Sequence, residues 1–589
     1  MRTAATVATN PVSGEKYDYV IVGGGTAGSV LANRLTADGC KKVLVLEAGP
    51  SSESTLEISV PAAIVRLFKH PIFDWGIDTL TQTQLKTREI YLARGKALGG
   101  SSCTNATLYN RGSPEDYDSW NLEGWAAKDV IGWYIQAERY ADGPAPYHGT
   151  TGIMSTEQPR YQNPLHEEFF RAAASVGMPA NPDFNDWSRP QDGYGEFQVA
   201  QKMGERADMF KMYLKPAIKR GNLKVVTNAR TTKIQIDKDH SGSSTARGVE
   251  FSIAGPLGAR HTAELASGGE VLLCAGAVHS PHLLMLSGVG PTETLTEFGI
   301  PTVSHLPGVG KNLQDHPACL HATSTHLEYD DLSITGQLYN SKNNIKLKPI
   351  LQYIFQRNGA LASTGCDHGA FVNTNGASQP DLQLRFVPAL SLDPDGVKTY
   401  TRVGEIRKLG LSWPGGFTIQ TLAVRPKSRG SVTLGSTNPF STPSIDIGYF
   451  NDAEGADMTT MKAGIALARQ MIAAPSLAKY VKGELFPGVS LTSDADMDEY
   501  IRSSVCSGNA LVGTCAMGHS AEQGAVVSSS DLRVFGVAGL RVVDASVIPT
   551  IPGAQTGAAT VMIAERAAQL ITSGTKVAAR SSGRVAVMA

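Results

Sequence analysis

The strongest constraint on the fold is a βαβ pattern near the start of the chain. A β-rich run at residues 17–22 is followed by the glycine motif Gly23-x-Gly25-x-x-Gly28 and by a helical stretch to about Ala37. A second β-rich run at residues 42–46 then ends on the acid Glu47. Each glycine has a physical role in such a unit, because the first permits a tight turn, the second lets backbone amides approach a pyrophosphate, and the third allows close helix–strand packing. The acid accepts a hydrogen bond from a ribose hydroxyl. The spacing therefore predicts half of a dinucleotide-binding fold, without choosing between NAD and FAD.

Further elements are predicted far along the chain from this unit. Residues 270–274 and 540–543 are predicted to be buried strands, Ser280-Pro281 a helix start, and residues 560–571 a helix with an apolar face. Residues 381–387 and 417–424 are β-rich runs in a region of weaker alternation. The sequence therefore predicts an α/β protein, α+β overall, in which a Rossmann-like domain built from separated segments carries an inserted sheet-and-helix domain.

The predicted domain boundaries follow these textures. The nucleotide-binding domain is assigned to residues 15–115, 208–320 and 505–572. The inserted substrate domain is assigned to residues 116–207 and 321–504. The two ends contain no acidic residue and are rich in small residues, so residues 1–14 are expected to form a flexible stub and residues 573–589 a disordered tail.

Composition excludes several classes of function. The 53 lysines and arginines nearly balance the 54 acids, so the net charge of −1 provides no electrostatic footprint for nucleic acid and none for an anionic membrane surface. No apolar run approaches the ~20 residues that span a bilayer, and no amphipathic anchor is evident. The seven cysteines are scattered and form no CxxC pair, which favours a reducing compartment and gives no reason to expect a metal site.

Four longer motifs choose the cofactor. RGKALGGSS at 94–102 followed by Asn105, GAVHSP at 276–281 continuing to LMLSGVG at 284–290, PGVGKNLQDH at 307–316, and LRVVDAS at 540–546 resemble the signatures of the glucose–methanol–choline (GMC) oxidoreductases. The resemblance implies FAD in an extended conformation, with the substrate domain over its isoalloxazine ring. The residues it assigns to the cofactor are Gly23, Gly25, Thr26, Ala27, Gly28, Glu47, Leu98, Gly99, Ser101, Asn105, Ala106, Asp544, Ala545, Gln555 and Thr556.

Two positions depart from the alcohol-oxidising members of this family. Those members carry a histidine three residues before the late Gly-Thr-Cys motif, where this chain has Ala510, and a His or Asn shortly before the last helix, where it has Gly557. Neither alanine nor glycine transfers a proton. A histidine elsewhere would have to replace them, and the candidates are His279, His316, His368 and His519.

The same double loss resembles one branch of the family, the algal fatty acid photodecarboxylases. Matching blocks are PAAI at 61–64, STGCD at 363–367, DLQLRFVP at 381–388, DPDGV at 393–397, YVKGELFPG at 480–488 and Asn509-Ala510. The resemblance implies blue-light decarboxylation of long-chain free fatty acids to alkanes or alkenes one carbon shorter, by electron transfer from the substrate carboxylate to photoexcited oxidised FAD.

Three catalytic residues follow from this branch. Arg385 is assigned to the carboxylate and to proton relay, Cys366 to a late hydrogen or proton step, and Asn509 to the carboxylate or a bound water. Each has an ordinary structural alternative: a salt-bridged surface arginine, a buried small apolar residue and a turn residue. Strand alternation places Arg385 opposite its neighbours Leu384 and Phe386.

Alternative functions remain open from the sequence. They are a dark FAD-dependent alcohol dehydrogenase or oxidase with a relocated base, a non-redox lyase of the same family, and a flavin photoreceptor without turnover. The algal resemblance implies a plastid location, with thylakoid association and peripheral membrane contact as the finer expectations, and the oligomeric state is left open.

Overall fold

The computed structural model describes residues 14–397, 402, 405, 406 and 408–573. The predicted stub and tail therefore lie outside the described residues, apart from Gly14 and Ser573. Two large sheets organise the described part of the chain.

The first sheet contains the predicted βαβ unit. Its strands follow the order Leu223–Val226, Val43–Leu46, Lys16–Val22, Arg260–Leu273, Ser244–Ile253 and Ala229–Lys238, with Leu540–Val542 beside Arg260–Leu273 and Val537–Ala538 beside Ser244–Ile253. The strands around Lys16–Val22 are parallel, and those of the long hairpins are antiparallel. Because helices cover the parallel part, its strands are apolar on both faces, and all four residues of Val43–Leu46 are buried.

The second sheet is antiparallel, and most of its residues lie in the predicted inserted region, although the strand Pro317–Thr325 begins before it and Cys506–Ser507 lies after it. Its order is Val481–Phe486, Pro317–Thr325, Gly416–Ala423, Leu382–Val387, His368–Val372 and Gly193–Glu196, with Cys506–Ser507 beside Pro317–Thr325. Leu384 and Phe386 pack in an apolar cluster with residues of two helices, Pro164–Ser175 and Ala456–Ala473. The exact residues at which one domain gives way to the other stay a prediction.

The remaining elements are shorter or connect the sheets. The other α-helices are Thr26–Leu35, Leu56–Ser59, Pro114–Asp118, Ala127–Ala137, Lys215–Ile218, Gly276–Leu286, Thr292–Glu297, Ile334–Leu338, Leu347–Gln356, Pro475–Ala478, Asp494–Ser504 and Thr556–Thr572. The 3-10 turns are Pro61–Arg66, Thr83–Leu85, Gly100–Cys103, Leu327–Leu332, Ala360–Ala362, Ala521–Gln523 and Ala545–Val547, and Phe210–Leu214 is a π-helical turn. Two-stranded pairs are Ile77–Asp78 with Tyr91–Leu92, Glu138–Tyr140 with Met154–Thr156, Gln201–Lys202 with Glu205–Arg206, Val289–Gly290 with Ser304–His305, Ser431–Thr433 with Ser444–Asp446, and Met517–Gly518 with Val527–Ser528.

One predicted helix start is wrong. The helix begins at Gly276, so Pro281 lies inside it rather than in its first turn. A proline there leaves the carbonyl of Ala277 without its usual donor four residues on. The hydroxyl of Thr514 donates to that carbonyl at 2.6 Å, and this non-local bond lets the helix run through the proline.

Among the described residues, no helix combines the length and the apolar character needed to cross a bilayer.

Candidate active site

A cavity of about 1030 Å³ joins the two sheets. One end is lined by the glycine motif at Gly23 and by Glu47, and the cavity continues past Cys366 and Arg385 of the second sheet region. Residues that the sequence assigns to a cofactor and to catalysis therefore share one cavity.

The first glycine turn is shaped for a close backbone approach. Gly23 has φ of +104°, and a Cβ there would lie 2.5 Å from the carbonyl oxygen of Cys274. A Cβ on Gly28 would lie 1.9 Å from the carbonyl oxygen of Gly23, so the helix Thr26–Leu35 packs against the turn only without a side chain at that position. The amino terminus of this helix faces the cavity at Gly25 and Thr26, as an anionic pyrophosphate requires.

Glu47 closes the turn from the second strand. Its two carboxylate oxygens accept hydrogen bonds from the backbone amides of Gly24, at 2.8 Å, and Gly49, at 2.7 Å. Burial raises the pKa of Glu47 to about 7, against the opposing effect of these amides. The carboxylate is thus held at the cavity wall, where a ribose hydroxyl would supply a further donor.

A second glycine turn, at Gly99 and Gly100, packs against the first turn. The amide of Gly99 donates to the carbonyl of Gly24 at 2.7 Å, and a Cβ built on Gly24 would lie 2.9 Å from the Leu98 side chain. Ser101 then faces the cavity and accepts a hydrogen bond from the amide of Gly95 at 3.1 Å.

Asp544 fixes the opposite wall. One of its oxygens accepts from the hydroxyl of Ser280, at 2.6 Å, and from the amide of Gly276, while the other accepts from the amide and hydroxyl of Ser546. The buried carboxylate, whose pKa burial raises, therefore ties two helical segments together beside the cavity.

Most residues assigned to the cofactor line the cavity. The twelve that do are Gly23, Gly25, Thr26, Ala27, Glu47, Ser101, Asn105, Ala106, Asp544, Ala545, Gln555 and Thr556. Gly28, Leu98 and Gly99 lie behind the wall, where they determine the packing of the glycine turns. The chemistry of this set, with backbone amides, a helix amino terminus and a ribose-facing acid, fits a dinucleotide.

Arg385 points into the middle of the cavity from the strand Leu382–Val387. Its side chain is buried, and it faces away from Leu384 and Phe386, as strand alternation predicts. Its Nε donates to Oε1 of Gln383 at 3.1 Å, and its Nη1 lies 3.4 Å from Oε1 of Gln420. Both partners are neutral, and among the described residues no carboxylate forms an ion pair with this guanidinium. The cavity therefore contains a buried cation that an anionic ligand would neutralise.

An amide network holds this arginine in place. Oε1 of Gln383 also accepts from Nε2 of Gln555 at 3.1 Å, and Oε1 of Gln555 accepts from Asn110 at 2.7 Å. Gln555 is the residue that precedes the helix Thr556–Thr572. Arg385 on the second sheet is thus connected to the nucleotide end of the cavity through the neutral side chains of Gln383 and Gln555.

Cys366 lies on the loop before the strand His368–Val372. Its Sγ is 3.5 Å from the hydroxyl of Thr364, which donates to the carbonyl of Ala106 on the nucleotide side. Burial raises the pKa of this thiol, although the charge of Arg385 opposes the effect. The thiol is therefore protonated at neutral pH and faces the cavity.

Asn509 faces the cavity from a left-handed turn with φ of +61°. Its Oδ1 accepts from the amide of Ala93 at 2.8 Å, and its Nδ2 donates to the carbonyl of Ser507 at 3.2 Å. These bonds are those of a turn residue. Because Nδ2 carries two hydrogens, one donor is still available to the cavity.

The two positions that lack an acid or base also line the cavity. Ala510 is buried and its amide donates to Asp315 at 2.6 Å, whereas a Cβ on Gly557 would meet only open space, with Asn105 at 4.0 Å. No side chain at either position transfers a proton.

The four histidines considered as replacements lie in different surroundings. His519 is exposed, His368 is bonded to Asp367 and stacked on His166 at 3.5 Å, and neither lines the cavity. His279 lines the nucleotide end, where its ring lies 4.1 Å from that of Trp75.

His316 is the one that shares the space around Arg385. It is buried, its Nε2 has no hydrogen-bond partner among the described residues, and it lines the cavity. Burial, reinforced by the charge of Arg385, lowers its pKa to about 3. The imidazole is therefore neutral at physiological pH and a weak base.

Beyond Arg385 the cavity wall is mainly apolar, although Glu405 and Lys408 are also among the cavity-lining residues. The side chains that line this end include Leu320, Ile334, Leu338, Val387, Leu390 and Trp413. An alkyl chain placed here would leave water at about 0.8 kcal/mol per methylene.

Sequence reasoning missed the glutamines around Arg385. Gln383 was detectable, because it lies two residues before Arg385 on the same strand and hence on the same face. Gln420 stands opposite Arg385 on the neighbouring strand, and only the sheet register reveals that pairing. Gln555 was assigned to the cofactor, and its bond to Gln383 is an additional finding.

Comparison with known proteins gives a consistent result. Models described as GMC oxidoreductase match residues 17–318 and 426–564. The chain belongs to the GMC oxidoreductase family. The chloroplastic fatty acid photodecarboxylase of Chlamydomonas reinhardtii is 62% identical over 97% of this chain and 93% of its own length. The alcohol dehydrogenase [acceptor] of Pseudomonas putida is 37% identical over 94% and 95%.

Two solved structures share the fold over most of the chain. Formate oxidase from Aspergillus oryzae superposes with a TM-score of 0.83 and 25% identity, covering 95% of this chain and 98% of its own. Pyridoxine 4-oxidase from Mesorbium loti gives a TM-score of 0.78 and 27% identity, over 95% and 100%. These likenesses confirm the predicted fold class.

Proposed function

We propose that this GMC protein is an FAD-dependent fatty acid photodecarboxylase, which uses blue light to convert long-chain free fatty acids to CO₂ and hydrocarbons one carbon shorter. The observation that carries the proposal is the buried guanidinium of Arg385, which forms no ion pair with a carboxylate of the described residues and lies between the nucleotide end and the mainly apolar end of the cavity. The 62% identity to a photodecarboxylase supports the same assignment.

The cofactor assigned to the nucleotide end is FAD. The residues proposed to hold it are the twelve cavity-lining positions from Gly23 to Thr556, with Gly28, Leu98 and Gly99 as their support. When bound, FAD supplies light absorption and a reversible acceptor for one electron.

Arg385 is proposed to bind and orient the substrate carboxylate. A long-chain fatty acid is ionised at neutral pH, so no base is needed to activate it. The lack of a proton-transfer group at Ala510 and Gly557 therefore does not impair this reaction. The planar guanidinium suits a planar carboxylate, and it already has its Nε held by Gln383. Proton relay, directly or through water, is the second role proposed for this side chain.

Cys366 and Asn509 are proposed to complete the carboxylate end. The net reaction takes up one proton and releases CO₂, so a protonated group beside the substrate is required. The Cys366 thiol is protonated because burial raises its pKa, and it is proposed to supply or relay hydrogen late in the reaction. The spare Nδ2 hydrogen of Asn509 is assigned to the carboxylate or to a bound water.

The apolar end is proposed to hold the alkyl chain. At about 0.8 kcal/mol per methylene, a chain of about sixteen carbons binds far better than a short acid.

The deciding experiment is illumination of the flavin-loaded protein with palmitate under blue light. We expect pentadecane in light and none in darkness, measured by gas chromatography of headspace and extract. Hydrocarbon formed equally in darkness contradicts the proposal. A light-driven spectral change without hydrocarbon would instead indicate a photoreceptor.

A second function has one observation in its favour. His316 lies in the cavity with an unpartnered Nε2, so it is the candidate for a relocated base in dark alcohol oxidation. Its lowered pKa, about 3, makes it weak in that role. Anaerobic addition of an alcohol in darkness tests this function directly, because flavin bleaching is expected only if the protein is an alcohol dehydrogenase.

The chloroplastic relative also supports a plastid location for this protein. Peripheral contact with the thylakoid membrane is the finer proposal, since lipid substrates are held there.

A further inference from the structure

The helix Leu347–Gln356 turns its apolar face to solvent. Pro349 and Tyr353 are its buried residues, and they lie on the side opposite the outward face. The outward residues follow the spacing of a single helix face. They are Leu347, which is 66% exposed, Leu351 at 42%, Ile354 at 54% and Phe355 at 79%. An ordinary surface helix buries such a stripe, so this arrangement requires a partner.

Neighbouring segments extend the apolar surface. Ile345 precedes the helix, and Leu409 and Leu411 lie on a second segment; all three are exposed. The side chain of Asn343 bonds the two segments together, donating to the carbonyl of Leu411 at 2.7 Å and accepting from the amide of Trp413 at 3.1 Å. We call the seven apolar side chains the docking face.

The docking face borders the apolar end of the cavity. Asn343 and Trp413 line the cavity themselves, as does Tyr339, whose ring stacks on Trp413 with centroids 6.2 Å apart. The segments that present the docking face to solvent are therefore the segments that form the cavity wall at the alkyl end.

The charges carried by the helix segment itself have one sign, although the Nζ of Lys346 pairs with the exposed carboxylate of Asp331 at 3.0 Å. Residues 341–357 contain four basic residues and no acid. Lys342 and Lys348 are exposed, and Arg357 ends the helix with its guanidinium over the ring of Tyr353 at 5.1 Å. Amphipathic helices that lie in a membrane interface combine such basic residues with Leu, Ile and Phe.

We propose that the docking face seats the protein on an anionic lipid bilayer and opens the cavity toward it. A two-fold contact with a second copy would bring the same basic residues together, which disfavours self-association. A bilayer instead accepts the apolar stripe, attracts the lysines and contains the fatty acid. Docking itself is independent of the reaction, whereas delivery of substrate rests on the proposed function.

Flotation of the flavin-loaded full chain with vesicles, in darkness and without substrate, tests the docking. The vesicles are phosphatidylcholine with phosphatidylglycerol, compared with phosphatidylcholine alone. Double substitution Ile354→Ser/Phe355→Ser is expected to weaken binding at least about tenfold, given the transfer free energy of two large side chains. Leu257→Ser is the matched control, because Leu257 is fully exposed far along the chain from the docking face, and it is expected to float like the wild type.

A second variant tests the charge. Lys342→Glu/Lys348→Glu is expected to weaken binding to the anionic vesicles and to remove most of its salt dependence. The proposal is overturned if the wild-type protein does not float, if the Ile354/Phe355 variant floats equally well, or if the wild type is a dimer that this variant dissociates without any vesicle binding.

The delivery step has its own readout. With palmitate embedded in vesicles, illuminated turnover is expected to fall in the Ile354/Phe355 variant, while turnover of detergent-dispersed palmitate is unchanged. Absence of turnover with every form of palmitate would contradict the proposed function and leave the flotation result standing. Equal turnover of embedded palmitate by variant and wild type would overturn delivery through this face.

Discussion

The charge of Arg385 is predicted to account for most of the selectivity for a carboxylate. Arg385→Met keeps the apolar stem and removes the guanidinium. Its hydrogen-bond partners, Gln383 at 3.1 Å and Gln420 at 3.4 Å, are neutral, so no residue of the network replaces the lost charge. A charge-assisted hydrogen bond is worth about 1.5–3 kcal/mol, and a buried carboxylate left without a partner costs about 3–5 kcal/mol. Palmitate is therefore expected to bind about 10²–10³-fold more weakly.

The assay is calorimetric titration of the flavin-loaded protein in darkness, where palmitate is not consumed. 1-Hexadecanol is the matched ligand, because it has the same chain length and no charge, and its affinity is expected to change little. Arg385→Lys retains the charge without the planar fork and should lie between the wild type and Arg385→Met. Flavin absorbance confirms that the cofactor site is intact.

Stability provides an independent check on the same reasoning. Because a buried cation without a carboxylate partner is costly, the ligand-free Arg385→Met protein should unfold at the same temperature as the wild type or higher. The reasoning is refuted if palmitate affinity is unchanged, or if palmitate and hexadecanol weaken equally.

Three further predictions follow from the site. Cys366→Ala should lower pentadecane formation at least about tenfold under illumination, with flavin content unchanged, and undiminished product would remove the thiol from the mechanism. Ala510→His should not create alcohol oxidation, because Gly557 still offers no second proton-transfer group; dark anaerobic bleaching by an alcohol would contradict this. The raised pKa of Glu47, about 7, favours its neutral form in the fold, so the cofactor-free protein should lose stability as pH rises from about 4.5 through 7, by about 3 kcal/mol in total. Urea unfolding across this range should show a loss about 3 kcal/mol larger in the wild type than in Glu47→Gln, and parallel profiles would refute the prediction.

Local chemistry determined a large part of the fold from the sequence alone. The βαβ unit is confirmed, with strands Lys16–Val22 and Val43–Leu46 and the helix Thr26–Leu35. Glycine sterics and hydrophobic period act over a few residues, so they are legible without a structure. The same holds for Arg385, whose orientation away from Leu384 and Phe386 follows from strand alternation.

Tertiary structure decided what depends on distant partners. The helix Gly276–Leu286 continues through Pro281 because Thr514, more than two hundred residues away, satisfies the carbonyl of Ala277. Arg385 meets Gln420 only through the register of two strands, and Gln555 only through the packing of the nucleotide end against the second sheet.

The exposure of the helix Leu347–Gln356 was also decided by the tertiary structure. No amphipathic anchor is evident in the sequence, whereas the tertiary structure shows an apolar face of this helix that points to solvent, where Phe355 is 79% exposed. Periodicity records which side chains share a face, since that depends on the helix alone. Which face is covered depends on the rest of the chain, because burial is a property of the packed molecule.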